Sequence, residues 1–110
     1  MTLIAETVSL EIVRSVRAPL ARLRRHDADL ARQLRRALNS IGLNVSEGER
    51  RVGRDALHHF NIAAGSANEA QRCLLNAEAW GYLADDDFAE VLRHLDRELG
   101  LLWGLSHARR

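Results

Sequence analysis

Ile4, Val8, Ile12, Val16, Leu20 and Leu23 recur at steps of four and three, which sets them along one side of an α-helix. Pro19 falls inside this stripe, where it forfeits the hydrogen bond to the Ser15 carbonyl, so a kink is expected there rather than a break. Asp27 is a suitable N-cap for a second helix, and Asp29 favours the positive end of its dipole. The second stripe is Leu30, Leu34, Ala37, Leu38, Ile41 and Val45. Gly42 lies within it at a cost of about 1 kcal/mol relative to Ala, which implies a close neighbour. A basic turn, Glu49-Arg50-Arg51-Val52-Gly53, precedes a third helix opened at Asp55 or just before it. Its face of Ala56, Phe60, Ala63, Ala64, Ala67, Ala70, Leu74 and Ala77 is mostly small, so another helix can come close. Gly81 is placed to end that helix in the left-handed conformation, with Tyr82 and Leu83 folding back. Asp85 to Asp87 then start a fourth helix through Phe88, Val91, Leu92, Leu95, Leu99 and Leu102.

Helices over about 3–25, 27–48, 54–80 and 85–107, joined by short connections, predict one all-α domain spanning 1–110: an antiparallel up-down four-helix bundle. The segment from Gly100 to Leu105 is apolar on more than one face. A helix in a monomer needs one buried stripe, so Leu101, Trp103 and Leu105 are assigned to a second buried surface between copies; fraying of the helix end is the alternative.

Every Lys-or-Arg position is Arg, and the net charge of +1 conceals an uneven distribution. Residues 14–54 carry +7, whereas 1–13 carry −2 and 55–110 carry −4. One half of the molecule should therefore present a positive field and the other a negative one. A single Cys, Cys73, makes no internal disulfide and calls for no oxidising compartment. Glu6 and Glu11 interrupt the N-terminal apolar stretch, and no uncharged run approaches the roughly 18 residues of a membrane helix. A soluble, unprocessed cytoplasmic protein is expected, with no membrane partner.

Candidate chemistry is sparse. Ser40, Asn44 and Glu47 share one helix face, and Ser66 and Glu69 share another, opposite Arg32, Gln33 and Arg36 if the two helices fold back on each other. The set reads either as a buried polar layer that fixes register or as a ligand site. His58 and His59 point about 100° apart and cannot share a metal. Asp55 with His59, and His94 with Glu90 or Glu98, have metal-compatible spacing, but no Glu-x-x-His pair is present and no metal is assigned. Nothing resembles a catalytic constellation or a phosphate loop, so no catalytic residue and no cofactor is assigned. The arginines remain. Arg22, Arg24 and Arg25, Arg32, Arg35 and Arg36, and Arg50, Arg51 and Arg54 are the candidate nucleic-acid-binding residues, able to neutralise phosphates on RNA or DNA. Stacking aromatics are missing from that part of the sequence, so recognition of backbone or shape is expected. A solvated basic face, or ion pairs between subunits, is the competing reading.

From Leu34 to Leu83 the runs QLRRA, SIGLNVSEG, HHFNIAAGSANE and AWGYL resemble the four-helix-bundle proteins encoded in intervening sequences of bacterial large-subunit rRNA genes. That group is related to the accessory variability determinants of diversity-generating retroelements. The resemblance implies a cytoplasmic, non-enzymatic, ring-like homopentamer that binds nucleic acid beside a reverse transcriptase or another protein partner. It also implies architectural roles for Leu34, Arg35, Arg36, Ala37, Asn44, Glu47, Gly48, Gly65, Ser66 and Glu69. Gly42-Leu43, Ser46 and the pattern of the first helix depart from the usual family sequence.

Overall fold

The computed structural model describes residues 3–107, which form four helices: α1 (Ile4–His26), α2 (Ala28–Glu49), α3 (Gly53–Ala79) and α4 (Asp85–His107). No strand occurs among the described residues. Each helix packs on the next in sequence, and α1 packs on α4, closing a body with extents of 44 × 22 × 21 Å. The α1–α2 and α3–α4 turns meet at one end, where Arg22 pairs with Asp87 and the His26 ring lies against Tyr82. The α2–α3 turn lies at the other end, beside Leu3 and Leu105. Among the described residues, no helix is long and apolar enough to cross a membrane.

The turns follow local chemistry. Asp27 alone separates α1 from α2: its N–H donates to the Leu23 carbonyl at 2.8 Å, and its carboxylate accepts from the Leu30 N–H at 3.0 Å. One residue thus closes one helix and caps the next. After α3, Gly81 adopts φ +85° and its N–H reaches the Glu78 carbonyl, while the Tyr82 N–H reaches Ala77, both at 2.9 Å. This paired capping turns the chain back sharply and buries Leu83. α1 continues unbroken through Pro19, which is buried.

The buried positions correct the expected stripe at its ends. A strict step of four drifts about 40° around a helix each time, so a long row at that spacing leaves the core. Ile4 is accordingly 59% exposed and Leu20 only half-buried; the buried series is Ala5, Val8, Ile12, Val16, Pro19 and Leu23, with Ser9 beside them, and it intersperses steps of three with steps of four. On α4 an alternation of the same steps selects Phe88, Val91, Leu95, Glu98 and Leu102, with Leu92 and Leu99 at the flanks. On α3 Ala63, Ala67, Ala70 and Ala77 are buried as expected from a close-packed face, with Ala56 and Ala64 half-buried at its edge. A Cβ on Gly42 would lie 3.2 Å from Ser9 Oγ, which identifies α1 as its close neighbour.

Candidate functional site

The arginines selected from the sequence are all exposed, but the fold divides them between the two ends of the molecule. At the α2–α3 turn Arg50 and Arg51 both bind the Glu47 carboxylate, Arg51 with an ion-pair distance of 3.1 Å. Those hydrogen bonds, from Arg51 first and Arg50 second, hold the Glu47 carboxyl below the usual carboxylate range. Arg54 stands by without an ion pair. At the opposite end Arg22 pairs with Asp87, which is held low by the Ala84 N–H at 2.8 Å and then by Arg22 itself. Arg32 pairs with Asp29.

Among the described residues, Arg24, Arg25, Arg35 and Arg36 make no ion pair, and neither does Arg17. Arg17, Arg24, Arg32 and Arg35 surround a shallow groove between α1 and α2, floored by Leu20, Ala21, Ala28 and Ala31. Small residues in both helices create this floor, and the long guanidinium arms rise from its edges. Arg36 faces the other side of α2, toward α3. Arg17 was not among the residues singled out from the sequence; its spacing from Arg24, seven residues along one helix face, was the available signal.

The polar set is tighter than expected and differently composed. Ser66 Oγ donates to Ser40 Oγ at 2.8 Å, and Asn44 Nδ2 donates to Ser40 O and Oγ at 3.0 and 3.1 Å. Asn44 Oδ1 is then left as an acceptor, 3.0 Å from His59 Nδ1, which must carry the proton. Ser66, Ser40, Asn44 and His59 therefore form one chain of hydrogen bonds across α2 and α3. Glu47 and Glu69 stand outside it: Glu47 serves the two arginines, and Glu69 is exposed beside Ser66 with no ion pair to Arg36. His59, noted in the sequence only for its metal-compatible spacing from Asp55, is half-buried and belongs to the network because position 59 of α3 falls level with position 44 of α2.

Of the expected interface residues, Trp103 is 65% exposed and stacks on His107 at 4.0 Å, while Leu101 and Leu105 pack partly against this chain's own core. His94 lies 3.6 Å from Glu90 and 4.0 Å from Glu11, and Arg97 is 3.8 Å from Glu11. Among the described residues, no group of three or more His, Cys, Asp or Glu side chains could hold a metal. Glu98, by contrast, is wholly buried, and neither carboxylate oxygen has a hydrogen-bond partner. Burial raises its pKa to about 8, with Arg97 opposing weakly. The sequence reading paired it with His94 as a metal-compatible spacing; its place three residues after Leu95 and four before Leu102 was the signal that it faces the core.

Residues 3–104 match the family model of the 23S rRNA-intervening sequence protein. The chain belongs to that family. A solved structure of a protein of unknown function from the S23 ribosomal protein family of Bacteroides thetaiotaomicron superposes with a TM-score of 0.82 at 25% sequence identity. The similarity covers 94% of this chain and 99% of that one. No curated protein matches the chain. The 23S rRNA-intervening sequence family assignment covers all four helices, so the arginine groove, the polar chain and Glu98 all lie on the family's shared framework.

Proposed function

We propose that this chain is a non-enzymatic adaptor that binds RNA or DNA through the arginine groove between α1 and α2. In this reading it is an antiparallel up-down bundle assembled into a homopentameric ring in the cytoplasm, beside a nucleic-acid enzyme such as a reverse transcriptase, as in the related retroelement determinants. The observation that carries the proposal is the meeting of Arg17, Arg24 and Arg35, none of them ion-paired, around one groove. Guanidinium groups free of carboxylates are available to phosphates, and each phosphate contact releases counterions. Arg50 and Arg51, already neutralised by Glu47, are secondary.

The test is the variant Arg17→Gln/Arg24→Gln/Arg35→Gln, titrated with a short RNA and a short DNA over a salt series, with mass followed by light scattering. Affinity should fall, and the salt slope should lessen by about 2 for a single strand, at about 0.7 per lost phosphate contact. Unchanged binding would refute the groove. A purely structural or protein-binding oligomer is the competing reading, with the same arginines meeting the acidic start of α4 of a neighbouring copy. It requires the variant to fall apart into smaller species.

A further inference from the structure

The end of the molecule that carries Arg24, Arg25 and Arg32 also carries a stack of aromatic rings assembled from distant segments. Trp80 and Tyr82 lie with ring centroids 6.2 Å apart and planes inclined by 14°, and Tyr82 and His26 at 5.4 Å and 13°. Gly81, in its left-handed conformation, and the Tyr82–Ala77 hydrogen bond fix the turn that aligns these rings. Trp80 is 70% exposed, so the indole keeps a broad open surface while contributing little to the core. Beside it runs a groove between α2 and α3, lined by Arg32, Arg36, Gln33, Asn76 and Asp29.

We infer that the Trp80–Tyr82–His26 rings are a stacking platform for an unpaired base of single-stranded RNA. The inference rests on the nucleic-acid reading above and gives it a substrate class. A nucleobase offers a flat π-face to a flat exposed ring whatever its identity, and a cationic rim beside the ring holds the adjoining phosphate. Arg36, free of any ion pair, and Arg32 form that rim. Among the described residues the side-chain amides of Gln33 and Asn76 have no hydrogen-bond partner, so they are free to meet base edges. Either amide's carbonyl oxygen can accept from a ribose 2′-hydroxyl, a donor that deoxyribose lacks. Duplex, whose bases are already stacked and paired, cannot use the platform.

The experiment uses the full chain with Trp103→Phe, so that Trp80 is the sole indole reporter. It is titrated with a single-stranded oligoadenylate RNA, the matching DNA, and an RNA duplex of equal length. Single-stranded RNA should quench Trp80 and bind more tightly than the other two. Adding Trp80→Ala should weaken single-strand binding about 5- to 100-fold while leaving duplex affinity and the salt slope unchanged. Trp80→Phe should recover part of the loss. Equal affinity for the DNA would overturn the choice of RNA. Binding without quenching, and unaffected by Trp80→Ala, would overturn the platform alone and leave the arginine groove standing. No binding of any oligonucleotide would overturn both. A change in mass on Trp80→Ala, with RNA binding intact, would reassign the rings to contact between copies.

Discussion

Glu98→Gln should make the protein more resistant to unfolding at pH 8 and nearly neutral in effect at pH 5. Glu98 is a core residue of α4 with no exposed surface and no partner for either oxygen. Its pKa is raised from 4.5 to about 8, chiefly by burial. The folded protein therefore keeps a proton that the unfolded chain releases. That sets the sign. Stability is full below about pH 4.5 and declines as pH rises to about 8, opposite to the behaviour of a salt-bridged carboxylate. At about 1.4 kcal/mol for each pH unit crossed, the loss reaches about 4 kcal/mol, a large part of the ~5–15 kcal/mol that holds a domain folded.

Glutamine cannot ionise, so the difference in urea midpoint between wild type and Glu98→Gln, measured at fixed protein concentration from pH 4.5 to 8.5, isolates this one group. The difference should grow from less than about 1 kcal/mol at pH 5 to about 4 kcal/mol at pH 8. Glu98→Leu should be more stable than either protein at high pH, because it also removes the unpartnered polar atoms. A difference that stays flat across the range would refute the reasoning: it would mean that Glu98 is charged and compensated in the folded protein.

Other features yield shorter tests. A Cβ on Gly48 would come within 2.5 Å of the Phe60 ring, so Gly48→Ala should cost about 1–3 kcal/mol in chemical denaturation despite the better helix propensity of alanine. Asn44→Ala would leave His59 Nδ1 without its partner and Ser40 with Ser66 alone, and should cost about 1–3 kcal/mol, with the loss apparent in the thermal midpoint. Cys73 is buried, and its thiol is pushed up by burial and then by Glu69. Its alkylation in the native protein should therefore proceed only as fast as the chain opens, and reaction at the rate of a free thiol would contradict the packing.

The legible part of this molecule lies in its local chemistry. Asp27 as a cap, Gly81 as a helix stop and the apolar stripes of α2 and α3 each depend on neighbours within a few residues, which spacing reveals directly. The parts that were not legible depend on register between helices. Glu98 has the spacing of a core residue and the chemistry of a surface one, and only packing decides between them. His59 joins Asn44 because α2 and α3 meet at that height. Trp80 and Tyr82 lie far along the chain from Arg24 and Arg25, so a search for aromatics near the arginines in sequence overlooks the rings that the fold sets beside them.

Folding also changes what the net charge of +7 over residues 14–54 means. Counted along the chain, the arginines form one basic segment; in space they form a neutralised set and a free set. Among the described residues Arg22, Arg32, Arg50 and Arg51 have carboxylate partners, whereas Arg14, Arg17, Arg24, Arg25, Arg35, Arg36 and, alone at the α2–α3 turn, Arg54 have none. Exposed pairs of the first kind are screened by water and salt and hold their partners only weakly, so a phosphate can displace a carboxylate, but the carboxylate left behind then repels the polyanion. The free arginines carry no such penalty. An anionic partner is therefore drawn to the α1–α2 end before the α2–α3 turn, and the aromatic rings stand at that same end. The arginine variants and the Trp80 variants consequently probe two grooves that share Arg32 by two independent signals, the slope in salt and the preference for unpaired bases.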